Sequence, residues 1–597
     1  MKIAFLVQGL FEVSDSIGFD CVYQYREVAS TFPEIKDVTI FAQRFDSERH
    51  RDVPIQGLEA FYEWCDHNPT GLVIYHYCGA WLEIDKFLSQ RQAASIIRWH
   101  NNTSPWFYFE ETNNLSHTLD GFESIVDLAR NPNLYFWVNS SFTRDQFVAL
   151  GGSASRCAVV FPASRYLGKA SIADSVVRPE RFAPDGPINL LFVGRVVSHK
   201  GHRTIIAVAE RLKEITGHAV IVRFAGREDR VKQSIIQFAE DAGVETYFYG
   251  EVPESTLVEL YSISDALVCL SEHEGFGLPV FEAMRCNLPV VAWATTAFRE
   301  LLADHPLAFR YYDLNMFAAA LASLLDPAIH RQVLRTQQRI LSIYSGSVVR
   351  QQIDDGIFKL TDRTSAISIP GSVDASQESA DVVKNTISSW LMRARNLPNT
   401  TTHNLIYDSG TNLVSLYDIK LFRALFDGMK RLRFSPFTSA ENNGTLLLEA
   451  ETFSSHSGAL VNGQLVFVEK EYNAGHLIFG PYLALPAGDF VASFDLEINF
   501  APDSTPAPVL IDVCCGPHGV IAKKKIAASR SHDSSEFTVE FSLPVEGSVT
   551  EFRVDIQQSF LANIVFRGIN LRRQEPSSNK KQGSFNKKTL FPWARSA

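Results

Sequence analysis

The stretch Ser271–Val291, SEHEGFGLPVFEAMRCNLPVV, decides the fold. An apolar run, Ala266–Leu270, leads into it and reads as a buried strand. Glu274 follows, then Gly275, Phe276 and Gly277, then Leu278-Pro279, then an apolar-periodic segment carrying Glu282 and Met284. Gly-x-Gly lets a backbone approach a ligand closely. Pro279 suits the first position of a helix, where its missing N–H costs nothing. The free N–H groups of such a helix start seat an anion such as phosphate. Glu274 and Glu282 flank that seat, and carboxylates repel phosphate unless they bind something else. Sugar hydroxyls, which donate hydrogen bonds to ionised carboxylates, are the natural ligands. The segment therefore reads as a seat for a phosphate joined to a sugar, as in a nucleotide sugar.

The chain before this stretch supplies a second cradle. Asn189–Val193 reads as a strand, followed by Gly194-Arg195 and Lys200-Gly201. A helix comes next, with Ile205, Val208, Leu212 and Ile215 on its buried face. Two cations and two glycines between a strand and a helix suit a phosphate. Val220–Ala225 is the next strand and ends in Gly226-Arg227. Tyr247–Tyr249 leads to Gly250-Glu251-Val252-Pro253, a loop on which a base can stack or hydrogen-bond. Gly226 and Val252 are thus candidate nucleotide contacts. Ser255–Ser264 reads as a helix, and Val348–Leu360 as the last one of this half.

The first part of the chain has the same alternation. Strands are expected at Ile3–Gln8, Val38–Ala42, Leu72–Tyr77, Ser95–Trp99, Tyr135–Val138 and Ala158–Phe161, with helices such as Val22–Ser30 and Phe142–Leu150 between them. Alternating strand and helix means a parallel sheet covered on both faces, with ligands beyond the carboxyl ends of its strands. Gly9 and Gly18 bracket the loop expected after the first strand. His76 ends the third and reads as structural. His100 opens the polar, proline-terminated loop His100-Asn101-Asn102-Thr103-Ser104-Pro105, and reads as functional. Asn139-Ser140-Ser141 reads as a helix cap.

A chain of 597 residues is too long for one core, so three or more domains are expected. The net charge of −11 argues against nucleic acid as a partner. The eight cysteines are scattered without C-x-x-C spacing, which favours reduced thiols in a cytosolic protein over disulfides or zinc. The apolar N-terminus is too short to span a membrane and reads as a first strand. Beyond a polar linker at Thr361–Gln377, helices are expected at Ala380–Leu397 and Leu413–Leu432. From about Glu441 to Arg573, short alternating strands separated by Gly, Pro and Asp turns suggest a jelly-roll-like β-sandwich. The tail mixes Lys580, Lys581, Lys587, Lys588 and Arg595 with Phe585, Leu590, Phe591 and Trp593, a composition suited to an anionic membrane surface.

Three parts of the sequence, in order, resemble the retaining glycosyltransferases of family 4, which have the GT-B fold. They are Glu274-x7-Glu282 within EGFGLPVFEAM followed by Asn287-Leu288-Pro289-Val290, Val193-Gly194-Arg195 with Lys200-Gly201, and the His100-Asn101-x-Thr103 loop. Ser104 before Pro105, Asn287 where the family has glycine, and Asp15-Ser16-Ile17-Gly18 in place of Gly-Gly depart from the pattern. The resemblance covers Met1 to about Leu360. It implies two facing Rossmann-like domains, 1–187 on the acceptor side and 188–345 on the donor side, with a crossover helix, 346–361, returning to the first domain. Linker and helices at 362–440, a carbohydrate-binding-like sandwich at 441–573 and a basic tail at 574–597 complete the expected order.

It also implies that Arg195 and Lys200 bind the donor diphosphate and stabilise the leaving nucleotide. Glu274 would hold the transferred sugar, backbone N–H groups of Gly275–Leu278 the phosphate or sugar, and Glu282 the ribose. His100 would sit near the anomeric carbon. With no D-x-D motif in the chain, neither a metal nor another cofactor is expected. The expected activity is metal-independent transfer of a hexose or deoxyhexose, from GDP-mannose for example, to a glycan or lipid-linked glycan such as bacterial O antigen or capsule, with retention of configuration. The expected place is the cytoplasm, peripheral to the inner face of the membrane. A sugar-nucleotide epimerase or phosphorylase of the same fold, and a non-catalytic glycan-binding protein, are the alternatives.

Overall fold

The computed structural model describes residues 2–10, 16–31, 37–46, 52–108, 112–167, 182, 186–228, 231–361, 377–400, 402, 419–433, 445–455, 458–472, 475–481, 483–501, 506–515, 519–526, 531–543, 548–556 and 560–574. They divide into two units, one of residues 1–107 and 118–426, the other of residues 108–117 and 427–597.

The first unit holds two parallel sheets. The first contains β1 (Lys2–Leu10), β2 (Asp37–Phe45), β3 (Ile55–Gln56), β4 (Leu72–Tyr77), β5 (Ser95–Trp99), β6 (Leu134–Val138) and β7 (Cys157–Val159), in the order 3-2-1-4-5-6-7. Helices on both faces bury its central strands, which is why β4 (LVIYHY) and β5 (SIIRW) are continuous runs rather than alternating ones. The second sheet contains β8 (Ile188–Val193), β9 (Val220–Ala225), β10 (Glu245–Phe248), β11 (Ala266–Cys269), β12 (Val290–Trp293) and β13 (Ala308–Phe309), in the order 10-9-8-11-12-13. The strand order reverses between β1 and β4 in one sheet and between β8 and β11 in the other. Each reversal opens a crevice beyond the carboxyl ends of two strands, the place where doubly wound sheets bind ligands.

The first loop differs from its expectation. Gly9 lies inside β1 and Gly18 inside the Ser16–Thr31 helix, so the connection is confined to residues 11–15, outside the described residues. Apolar content extends both elements past their glycines. Pro279 is the second residue of the Leu278–Arg285 helix rather than its first.

Two later helices and the first part of a third complete this unit. Gly346–Thr361 returns to the first sheet: Gly356 lies against the Trp137 ring, Arg350 pairs with Glu27, and Gln352 Oε1 accepts from the Phe161 N–H at 2.8 Å. Gln377–Arg395 packs on Leu314–Ser323, LNMFAAALAS, whose run Phe317–Ser323 is buried throughout. Small alanines let the two helices approach closely, and Val383, Ile387 and Ala394 are buried there. Arg395 pairs with Asp313 at 2.8 Å, and Arg211 Nη2 donates to the Pro398 carbonyl at 2.8 Å. Phe422, on the Ile419–Arg433 helix, sets its ring 5.3 Å from Trp106 and 5.5 Å from Phe122. The linker expected at Thr361–Gln377 falls, for residues 362–376, outside the described residues.

The second unit holds two antiparallel sheets around one apolar core. One is built on the long strands Gly488–Phe500, Ser531–Leu543 and Phe560–Arg573, the other on Ser548–Ile556 and Val509–Cys515. Phe490, Phe494, Phe541, Phe552 and Phe566 fill the space between them, with Phe490 and Phe541 stacked at 5.3 Å. The period-two burial of Gly488–Phe500 accounts for that packing: Phe490, Ala492, Phe494, Leu496 and Ile498 point inward. No disulfide joins any of the eight cysteines. Among the described residues no helix is long and apolar enough to cross a membrane, and the basic tail lies outside them.

Ile387→Ala is expected to cost about 2–5 kcal/mol through the cavity it leaves over the alanine face. Chemical denaturation followed by far-UV circular dichroism would show it as an earlier first transition.

Candidate functional site

The crevice at the β8–β11 reversal is made by two loops. After β8, Gly194 and Arg195 turn away, and a short helical turn, Ser198–Lys200, brings Lys200 back over the end of β11. Gly201 follows at φ +73°, with the Leu270 carbonyl oxygen 2.2 Å from where a Cβ would stand. The Glu272 N–H donates to the His199 carbonyl at 2.8 Å and ties the two loops together. Gly226, at φ +144°, turns the loop after β9 so tightly that a Cβ would lie 2.1 Å from the Gly194 carbonyl oxygen. Glycine is required at both positions for these backbones to touch.

Lys200 and Glu274 meet in this crevice. Lys200 Nζ lies 2.6 Å from Glu274 Oε1 and also donates to the His273 carbonyl at 3.2 Å. Their side chains are 17% and 12% exposed, so the pair is largely withdrawn from water yet still reachable. Arg195 is exposed, and its guanidinium makes no hydrogen bond or ion pair with a described residue. Beyond Glu274, the backbone N–H groups of Gly275, Phe276, Gly277 and Leu278 also bond no described residue. These donors sit at the N-terminal end of the Leu278–Arg285 helix, with Gly277 at φ +83° as its cap. The side chain of Phe276 is core, packed on Phe281 and Tyr344, so only its backbone can serve a ligand.

Glu282 lies deeper. Its Oε1 accepts from Ser164 Oγ at 3.1 Å and its Oε2 from the Tyr261 hydroxyl at 3.1 Å. Burial raises its pKa above the usual carboxylate range, against the lowering effect of those two hydroxyls. It is 8% exposed and does not meet Lys200 or Glu274 among its hydrogen-bond partners. Gly226 donates its N–H to the Gly250 carbonyl at 2.8 Å, which brings the expected base-binding loop, with half-buried Val252, beside Arg227.

The first sheet faces this crevice with the His100 loop. Asn101, at φ +75°, donates from Nδ2 to Thr143 Oγ1 and Gln146 Oε1 at 2.7 and 2.8 Å. That orientation leaves Oδ1 as an acceptor for His273 Nε2, 2.9 Å away on the other side. His273 is buried between Phe107 and Phe142, and desolvation followed by the nearby Lys200 charge lowers its pKa to about 3. It is therefore neutral and donates from Nε2. Ser140 Oγ caps its own helix by accepting from the Thr143 N–H, and it also donates to the Gly275 carbonyl at 2.9 Å. The Ser141 N–H reaches Glu300 Oε1 at 2.9 Å. Asn101 and Ser140 thus join the two halves at the glycine loop. In the sequence one is part of a loop and the other a cap, because the bonds are made to residues 135 to 172 positions away.

His100 itself stays on the first sheet, with Nε2 3.0 Å from His76 Nδ1 and 3.8 Å from Asp20 Oδ2. Ligand atoms of Asp20, His76 and His100 lie within 4.8 Å of one another, a spacing that suits a metal ion. Arg98 Nε, 2.9 Å from the same Asp20 oxygen, already supplies the positive charge there and disfavours a second cation.

Residues 176–340 match the family model described as glycosyl transferases group 1. The chain is 28% identical over 146 residues to the O-antigen chain mannosyltransferase B of Escherichia coli, covering 24% of this chain and 38% of that one. It is 29% identical over 169 residues to a glycogen synthase of Mycobacterium tuberculosis, covering 28% and 41%. The chain thus spans less than half the length of these relatives. Among solved structures it is similar to a sucrose-phosphate synthase from Thermosynechococcus elongatus, with a TM-score of 0.49 and 17% identity over 61% of this chain and all of that one.

Two outcomes are expected here. Gly226→Ala should destabilise the unit by about 1–3 kcal/mol, read as a lower melting temperature, because a Cβ meets the Gly194 carbonyl at a backbone angle that side chains avoid. Glu272, whose Oε2 is buried without a partner among the described residues, has its pKa pushed up to about 7 by desolvation. A carboxyl raised in the folded state stabilises it fully below the unfolded value of about 4.5, and that stabilisation is lost as pH rises through about 7. Glu272→Gln should therefore raise the melting temperature relative to wild type at pH 8, and the gain should shrink towards pH 5.

Proposed function

We propose that this protein is a glycosyltransferase that moves a sugar from a nucleotide diphosphate to a glycan. One observation carries the reading: Lys200 and Glu274, from loops 74 residues apart, meet beside four unengaged N–H groups within the segment that matches the glycosyl transferases group 1 model. The arrangement offers a cation and a helix tip for a pyrophosphate and a carboxylate for hydroxyls. When the diphosphate binds, Lys200 turns from Glu274 to the phosphate, and exposed Arg195 closes on its other side. Glu274 is then free to accept from the sugar. As the glycosidic bond to phosphate breaks, negative charge grows on the leaving oxygen, and fixed cations and backbone donors stabilise it.

The finer reading is a retaining, metal-independent hexosyltransferase of family 4 with the GT-B arrangement, its 188–345 half on the donor side and its 1–187 half on the acceptor side. GDP-mannose is the proposed donor and a growing bacterial O antigen or capsule the proposed acceptor. The Escherichia coli O-antigen mannosyltransferase relative supports that choice. For Glu282 to hold the ribose, the ribose hydroxyls must take the places of Ser164 and Tyr261 on its oxygens. Action in the cytoplasm at the inner membrane face, with the basic tail on anionic lipid and the sandwich on glycan, completes the proposal.

A thermal-shift series with GDP, UDP, dTDP and ADP identifies the donor base, since a ligand of the native state raises its melting temperature. With the matching donor sugar and a glycan acceptor, Lys200→Ala and Glu274→Ala should each lower turnover by about 100-fold or more. Wild-type turnover in both variants would reject this site.

A further inference from the structure

The first sheet buries a second polar group at its own strand-order reversal. His76 ends β4, His100 follows β5, and Asp20 lies on the helix that follows β1. In the sheet register His76 stands beside Arg98, whose guanidinium holds Asp20 Oδ2 at 2.9 Å and the Val160 carbonyl at 2.8 Å. Asp20 takes two further donors: Gln24 Nε2 at 2.9 Å on Oδ2 and the Ala163 N–H at 2.7 Å on Oδ1. In all three bonds Asp20 is the acceptor.

Two imidazoles therefore face one another, His76 Nδ1 to His100 Nε2 at 3.0 Å, beside a fixed negative charge. Burial, reinforced by Arg98, lowers both pKa values well below the ordinary histidine range, so both rings are neutral. Only one proton fits between them. Asp20 Oδ2, 3.8 Å from His100 Nε2, favours that proton on His100. His76 then accepts it at Nδ1 and carries its own proton on Nε2, an atom buried without a partner among the described residues. An imidazole whose far nitrogen meets nothing is not there for packing alone; phenylalanine would fill the space without desolvating that nitrogen.

We propose that His76 is a positioning residue: by accepting the Nε2 proton of His100, it keeps the Nδ1 lone pair of His100 open to a sugar hydroxyl. His100 Nδ1 bonds no described residue, and the backbone on either side of the ring is fixed. The His100 N–H donates to the Tyr77 carbonyl at 3.1 Å, and Asn139 Nδ2 donates to the His100 carbonyl at 2.8 Å. With ring and tautomer both set, Nδ1 accepts a hydroxyl hydrogen and presents that hydroxyl oxygen in one orientation. The inference rests on the proposed transferase reading of His100.

The test compares His76→Phe, which removes the acceptor, with His76→Asn, whose amide oxygen replaces Nδ1. His76→Phe should lower kcat tenfold or more with donor KM and melting temperature near wild type, and His76→Asn should recover most of it. Nitrogen NMR of histidine-labelled wild-type protein, assigned by loss of the signal in His100→Ala, should show an unprotonated Nδ1 on His100. Full kcat in His76→Phe, with His100→Ala inactive, would leave His76 structural and overturn the proposal. A protonated Nδ1 would overturn it too, and that readout stands even if His76→Phe fails to fold. Full activity in His100→Ala would instead reject the placement of His100, whatever its tautomer. Zinc that copurifies in stoichiometric amount, and is lost in His76→Phe, would also overturn the hydrogen-bonded pair.

Discussion

The site depends on an ion pair that neither partner can leave alone. Lys200 and Glu274 are both largely out of water, and each supplies the charge that makes the other tolerable there. Such a pair gains little over an apolar contact of equal size, but removing one member strands the other. It therefore holds the two loops of the second sheet together until a ligand offers equivalent partners. In the proposed reaction a diphosphate would offer one to the lysine, and the sugar would offer hydroxyls to the glutamate. The surrounding glycines let the loops come close enough for the pair to form, since side chains at 201 and 226 would collide with carbonyl oxygens.

The two sheets present different chemistry at equivalent places. The second exposes cations, backbone donors and a carboxylate that suit a charged ligand. The first buries its charges, with Arg98 and Asp20 neutralising one another beneath two uncharged histidines. On the proposed reading, one crevice would grip phosphate and the other would orient neutral hydroxyl groups. Asn101 and His273 bridge the two, and the left-handed backbone of Asn101 puts its amide where both halves can use it.

Much of this was legible in the sequence because it is local. Nearly every long strand follows from apolar runs bounded by glycine, proline or aspartate, and the loop-to-helix turn at Gly277 from EGFGLP alone. The pairing of Lys200 with Glu274 follows once both segments are placed after neighbouring strands. What could not be read is long-range and polar. His76 reads as a strand-end histidine until β4 and β5 are laid side by side. Ser140 reads as a cap, which it is, and nothing local reveals its second bond to Gly275. The burial of Glu282 under Ser164 and Tyr261 depends on how an interdomain segment folds back, a matter no periodicity encodes. Likewise the helix Gln377–Arg395 shows an apolar stripe in sequence, but its seat on the alanine helix does not.

That alanine helix sets the limits of the second α/β half. Leu314–Ser323 has almost no polar residue to show to solvent, and residues well past the crossover helix cover it. The half is thus discontinuous along the chain: its last layer arrives after the polypeptide has visited the other sheet and returned. A chimaera that exchanges donor specificity by swapping residues 176–340 would transplant a body without its outer wall. A successful graft must carry the chain through about Thr402, or replace the alanines with a surface that water accepts.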